Sequence, residues 1–279
     1  MNPMGFTFLY LIALLFSLVV AYLCGSIPFA IIIGKGIFGV DVRQHGSGNT
    51  GSTNVMRVLG VKAGIVVFIC DTAKGAIAVL AGMGISHLME MLFLDGAWHG
   101  LTMLTVGWTY QLLLVLCALA AIVGHMYSPF LSFHGGKGVA TALGGVFAIL
   151  PLPALCALGV FAVVAVATRY VSLASISAAV SLPLFVWLLN GIDPLYIGFA
   201  CCVMVALIYA HRSNIGRLLN HTEKKFAIEK VARDDSAAND VAHNVPDDGF
   251  HSGDKPVQAA SEGDSRTDGD DDGGGEERP

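Results

Sequence analysis

Charge is scarce in this chain. Only 13% of its 279 residues are Asp, Glu, Lys or Arg, about half of the roughly 25% usual in a soluble domain. That scarcity excludes an ordinary soluble enzyme, a coiled coil and a nucleic-acid binder. Metal and disulfide chemistry lack a signature as well. The six cysteines, Cys24, Cys70, Cys117, Cys156, Cys201 and Cys202, all lie in apolar runs without a CxxC or Cys/His ligand spacing. They read as small packing residues, and no metal or cofactor is expected. No charge precedes Lys35, so the first apolar stretch lacks the basic start of a signal peptide and is expected to be a retained span.

What is present in quantity is apolar sequence and glycine, at 54% and 33 residues. The net charge of −5 hides two opposite parts. Residues 1–228 hold 11 Lys/Arg and 6 Asp/Glu, while 229–279 hold 5 and 15. The first part is expected to be a membrane domain. The second cannot bury enough apolar surface to offset ordering and is expected to be a disordered, acidic, cytoplasmic tail.

A membrane-crossing helix needs about 20 apolar residues. That rule marks 6–30, 64–85, 103–125, 139–150, 154–168, 173–189 and 195–210, the fourth being too short to cross alone. The expected fold is an all-α integral membrane protein of seven transmembrane helices, with six as the alternative. Basic residues test the count. Lys35, Arg43, Arg57 and Lys62 follow the first span, Lys137 the third, Arg169 the fifth, and Arg212, Arg217, Lys224 and Lys225 the seventh. The intervening loops have none. The positive-inside rule then puts the N-terminus outside and the C-terminus in the cytoplasm, which needs an odd number of spans. Inside the second span, Asp71 and Lys74 share a helix face and can pair.

Three polar, glycine-bearing segments fall on the expected cytoplasmic side. The first is Gly46-Ser47-Gly48-Asn49-Thr50-Gly51-Ser52-Thr53-Asn54-Val55-Met56-Arg57. Its small residues suit an anion cradle of backbone amides, and Arg57 suits a phosphate clamp. The second, His134-Gly135-Gly136-Lys137-Gly138-Val139-Ala140-Thr141, follows Gly124-His125. It brings glycine amides, a helix N-terminus and a cation to one point. It is no ATP-binding P-loop, since Gly138 follows Lys137 where Ser or Thr is needed. The third runs His211-Arg212-Ser213-Asn214-Ile215-Gly216-Arg217 to Glu223, with His211 and Asn214 on one helix face. Each segment has a plain structural alternative: an interfacial loop, a tight turn between helices, or a basic helix lying on anionic lipid.

Together they predict a phosphate site at one membrane face, with Arg57, Lys137 and Arg217 as cations. Ser47, Gly48, Asn49, Gly51, Asn54, Gly135, Gly136, Gly138 and Thr141 are expected to contact substrate. His211 is a candidate base or phosphate ligand, and Asn214 a substrate-orienting group. There is no Gly-x-Ser-x-Gly elbow and no nucleophile–base pair, so the substrate must arrive activated or merely be moved. A transporter is the rival reading, but no internal repeat supports it and the polar segments share one face.

The three segments resemble the cytoplasmic motifs of the bacterial acyl-phosphate:glycerol-3-phosphate acyltransferases of the PlsY type, namely GSGNxGATNxxR, Gly-His then GGKGVAT, and HxxNIxRLxxGTE. Lesser matches are Gly25-Ser26-Ile27-Pro28, Asp71 with Lys74-Gly75, and Ser172-Leu173-Ala174-Ser175. The resemblance covers about 21–226, in order. It implies transfer of a fatty acyl group from acyl phosphate to the 1-hydroxyl of sn-glycerol 3-phosphate, giving lysophosphatidic acid and phosphate. It also implies an inner-membrane location and a soluble acyl-phosphate-forming partner. By carry-over, Ser172 or Ser175 lines the glycerol 3-phosphate site. A substrate phosphate is as good a candidate base as His211. The other glycerolipid acyltransferase signature, His-x-x-x-x-Asp, occurs only at His243 and Asp248 in the acidic tail. The chain departs from the family at Ser52, in an apparently long 86–102 loop, in the tail, and at His221, where the family has glycine and an altered turn is expected.

Overall fold

The computed structural model describes residues 3–93 and 99–226. The expected tail, 229–279, lies outside them. The described residues form ten α-helices and no strand: α1 Pro3–Ser26, α2 Phe29–Phe38, α3 Ser52–Leu59, α4 Val61–Phe93, α5 His99–Met126, α6 Val139–Ile149, α7 Pro151–Thr168, α8 Val171–Asn190, α9 Pro194–Ala210 and α10 Arg212–Leu219.

Five stretches are long and apolar enough to cross a membrane: Leu11–Phe38, Val61–Leu88, Gly107–Leu131, Pro151–Thr168 and Val171–Asn190. Helices α9 and α10, bent by 62° at His211, qualify together as a sixth. Helix α6 has 11 residues, a length of about 16 Å at 1.5 Å per residue. Pro151 opens α7 directly after Leu150, so no connecting loop lengthens it.

Two expectations change here. The first span breaks at Ile27-Pro28, because Pro28 lacks an N–H and closes no helical bond. The carbonyls freed by that break find other donors. Ser128 Oγ donates to the Ser26 carbonyl at 2.7 Å, and Lys74 Nζ donates to that of Ile27 at 2.7 Å. The apparently long 86–102 loop is mostly helix, since α4 runs on to Phe93 and α5 starts at His99.

Burial of apolar area cannot hold helices together in lipid, where the tails are equally apolar; close packing of small residues does. A Cβ on Gly144 would collide with the Thr72 carbonyl oxygen, and one on Gly75 with that of Thr141, so α4 and α6 touch backbone to backbone. Gly25 on the Ala121 carbonyl and Gly124 on that of Tyr22 bind α1 to α5 in the same way. Around α6, the core is filled by Ile122, Val146, Leu182, Val186, Phe199 and Val203. Outward apolar residues such as Val163 and Val166 remain exposed, as a lipid-facing surface requires.

Candidate active site

The loop between α2 and α3 is organised by Asn54. Its amide nitrogen donates to the carbonyls of Val42 (2.8 Å) and His45 (3.2 Å), and its oxygen accepts from the Ser47 N–H at 2.8 Å. Asn54 is buried, and its side chain is committed to the loop itself. Gly46 and Gly48 have φ of 64° and 69°, a region open to glycine at little cost. A Cβ on Gly46 would also strike Asn54. Before this loop, Asp41 pairs with Lys35 at 3.0 Å and Arg43 at 2.7 Å. Those cations hold its carboxyl below the usual range, Arg43 foremost.

Part of each expected amide cradle is taken up within the protein. The Ser47 and Gly51 N–H groups bond to the side chains of Asn54 and Asn49. The Gly48 N–H bonds to the His45 carbonyl, and those of Gly135 and Gly136 to the carbonyls of Met126 and His125. These amides are satisfied within the protein, so the glycines serve close backbone approach. Gly138, at φ 80°, begins α6. Thr141 is fully buried, with its hydroxyl 3.1 Å from His125 Nδ1.

The side chains do converge. Lys137 Nζ donates to Asn214 Oδ1 at 2.6 Å, Asn214 Nδ2 donates to Glu223 Oε1 at 2.6 Å, and Arg217 Nε donates to Glu223 Oε2 at 2.7 Å. The loop before α6 is thus joined to the bend and turn around α10. Burial lowers the Lys137 pKa, nearby Arg217 and Arg57 lower it further against the pull of Glu223, and it rests at about 8. Arg57 therefore belongs to the same cationic cluster. Its guanidinium is largely buried, and among the described residues no hydrogen bond or ion pair reaches it.

His211 is buried at the α9–α10 bend, with Nδ1 2.8 Å from the Leu207 carbonyl oxygen. Two acceptors cannot share a bond without a proton, so Nδ1 carries hydrogen and the neutral ring leaves Nε2 bare. Ser172 and Ser175 are buried at the start of α8. Ser175 Oγ donates to the Val171 carbonyl. Ser172 Oγ faces the Glu223 carboxylate but lies outside hydrogen-bonding geometry, leaving it without a partner.

Glu223 was visible in sequence only as the end of the third segment. In the structure it links Asn214 to Arg217. Burial raises its pKa, but the hydrogen bonds from Asn214 and Arg217 outweigh that and hold it below the usual range. The turn delivering it is built on the residue at which the resemblance had placed a glycine. His221 takes the left-handed conformation itself, at φ 55°, and the N–H groups of Thr222 and Glu223 close onto the Arg217 carbonyl.

A family model described as glycerol-3-phosphate acyltransferase matches residues 15–221. The glycerol-3-phosphate acyltransferase of Chlorobaculum tepidum is 37% identical over 231 residues, 75% of this chain and 95% of that one. The namesake from Endomicrobium trichonymphae is 41% identical over 213 residues, 76% and 96% of the two chains. A crystal structure of PlsY (YgiH), an integral membrane glycerol 3-phosphate acyltransferase in its glycerol 3-phosphate form, superposes with a TM-score of 0.64. It is 41% identical and covers 77% of this chain and 96% of that one. Its lysophosphatidic acid form gives a TM-score of 0.62 at 40% identity, with 77% and 95% covered. The chain therefore belongs to the glycerol-3-phosphate acyltransferase family.

Proposed function

We propose that this protein transfers a fatty acyl group from acyl phosphate to the 1-hydroxyl of sn-glycerol 3-phosphate, releasing lysophosphatidic acid and inorganic phosphate. The observation that carries the reading is the cluster of Arg57, Lys137 and Arg217 around Asn214, with Glu223 as its one carboxylate. With Lys137 protonated the cluster is net cationic, which suits a phosphate dianion. An acyl phosphate is a mixed anhydride, so no covalent enzyme intermediate is required. Binding two anions side by side and stabilising developing charge are then the whole task.

In this reading Arg57 and Lys137 bind phosphate and Asn214 orients the acceptor. Ser172, whose hydroxyl is buried and unpartnered, contacts the glycerol. His211 has a bare Nε2, which accepts a proton and cannot donate to a phosphate oxygen. The fixed tautomer therefore favours His211 as acceptor of the hydroxyl proton over a phosphate-holding role. An apolar cavity of about 90 Å³ lies between α4, α6, α7, α8 and α9, lined by Phe68, Val146, Phe161, Leu182 and Val203, with the Ser175 side included. It supplies room for acyl chain within the membrane.

We also infer seven crossings, N-terminus outside, with the site facing the cytoplasm of a bacterial inner membrane. The support is the way basic loops meet at one end. Lys137 bonds Asn214, and the Phe226 N–H bonds the Arg169 carbonyl at 2.8 Å. Placing Lys137 and Arg169 at the same face requires α6 and α7 to leave and return, so the short α6 counts as a partial crossing. A soluble enzyme that makes acyl phosphate would be the partner at that face.

The test is acyl transfer by purified protein in lipid vesicles, with palmitoyl phosphate and glycerol 3-phosphate, and palmitoyl-CoA as the control donor. Lysophosphatidic acid is expected from acyl phosphate alone. Product from acyl-CoA would overturn the donor assignment. No product from either donor, with folded protein, would turn the reading toward anion transport.

A further inference from the structure

The loop that carries Lys137 reads Gly135-Gly136-Lys137-Gly138. Its three glycines offer no side chains, so the loop cannot anchor itself. Glycine also loses more conformational freedom on ordering than any other residue. Whatever fixes Lys137 must come from neighbouring elements.

His125, in the last turn of α5, does this from beneath. It is buried, and its Nδ1 lies 3.1 Å from Thr141 Oγ1 in the first turn of α6. The opposite side of the ring presses on Gly136, where a Cβ would collide with Nε2 and its flanking carbons. The backbone repeats the clasp, because Gly135 and Gly136 donate to the Met126 and His125 carbonyls at 3.0 and 3.1 Å. One imidazole thus touches the chain on both sides of Lys137.

Behind the ring stands an ion pair. Asp71 Oδ1 lies 3.8 Å from His125 Nδ1 and 2.8 Å from Lys74 Nζ, and Lys74 reaches the Ile27 carbonyl. Both charged side chains are at most 4% exposed. A pair so far from water contributes little stability, and the best-attested use of such groups is to fix one arrangement over others. Here it ties the α1–α2 break to α4, and its carboxylate stands against the His125 ring of α5.

We propose that His125 and Thr141 are positioning residues that set Lys137 against the substrate phosphate, with the Asp71–Lys74 pair as their fixed support. This rests on the reading of Lys137 as a phosphate ligand. A misplacement of about 1 Å can lower a rate roughly 100-fold, so a glycine-flanked lysine needs such support to act reproducibly.

Two substitutions separate hydroxyl from shape. Thr141→Val keeps the shape and removes the partner of His125, while Thr141→Ser keeps the hydroxyl. For the full chain in lipid, Thr141→Val is expected to lower kcat/KM for glycerol 3-phosphate about tenfold, and Thr141→Ser to stay within about threefold of the parent, both at near-parental melting temperature. A second readout is one that a structural role would not move. Lys137 faces Asn214, Glu223, Arg217, Arg57 and His211, and a loosened loop lets it reach water. The alkaline limb of kcat/KM is therefore expected to move upward in Thr141→Val. Parental kcat/KM and an unmoved limb in Thr141→Val would overturn the proposal, as would losses in both variants that merely track melting temperature. If Thr141→Val does not fold, His125→Gln carries the same two readings. Lys137→Ala, assayed alongside, separates the two levels. Full activity there sinks the phosphate-ligand reading and this one with it, whereas an inactive Lys137→Ala with a silent Thr141→Val sinks only the positioning.

Discussion

Lys137→Ala is expected to abolish measurable acyl transfer, lowering kcat/KM by roughly 100- to 1000-fold, the usual loss when one preorganised charge-stabilising group is removed. The fold should survive. Lys137 is only half-buried, and its side chain bonds Asn214, which keeps its second bond to Glu223. Lys137→Arg is expected to fail as a rescue, because a planar guanidinium does not replace a compact ammonium in a site already holding Arg57 and Arg217. The same lysine sets a pH limit. Its pKa is lowered to about 8, so the free enzyme loses this charge as pH rises through about 8, well below where an ordinary lysine would. kcat/KM for glycerol 3-phosphate should fall along that limb. The measured parental profile would check it; a flat profile from pH 7 to 10 would count against the assignment.

The second large effect concerns assembly of the membrane body. Gly144→Val is expected to prevent α6 from seating on α4. The added side chain has no rotamer to escape into, since the obstacle is the Thr72 carbonyl, part of a helix backbone. Overpacking of ordinary core sites costs about 1–3 kcal/mol, and a backbone–backbone clash belongs at or above the top of that range. Gly159→Ala is the matched control. Nothing lies within 4 Å of a Cβ there, and replacing a mid-helix glycine by alanine is favourable by up to about 1 kcal/mol. Melting in detergent micelles should therefore fall sharply, or the protein fail to accumulate, for Gly144→Val, and hold or rise for Gly159→Ala. Parental melting in Gly144→Val would mean that the close approach of α4 and α6 is not obligatory.

Hydropathy located the long helices and singled out 139–150 as too short, because length and apolarity are local properties. The Pro28 break and the run of α4 to Phe93 were missed, since a window average smooths over a single proline and undervalues a mixed helical end. The convergence of Lys137, Asn214 and Arg217 was legible because charged and amide side chains in glycine-rich settings have few structural uses. What the amides of those glycines do was not legible. A free N–H and one bonded to His125 or Asn54 look identical in sequence. Likewise His125, Asp71 and Thr141 stand 16 to 70 positions apart, and only packing shows that they meet.

The guanidinium of Arg57 has a thermodynamic consequence beyond catalysis. A cation held largely out of water with no protein counter-ion weakens the fold that holds it. An anion that pairs with it binds the native state and not the unfolded chain, and so shifts the folding equilibrium toward the native side. Occupancy by phosphate-bearing substrate and resistance to unfolding are then two readings of one linked equilibrium. The concentration of that anion would then move the melting temperature of the protein as well as the fraction of sites filled.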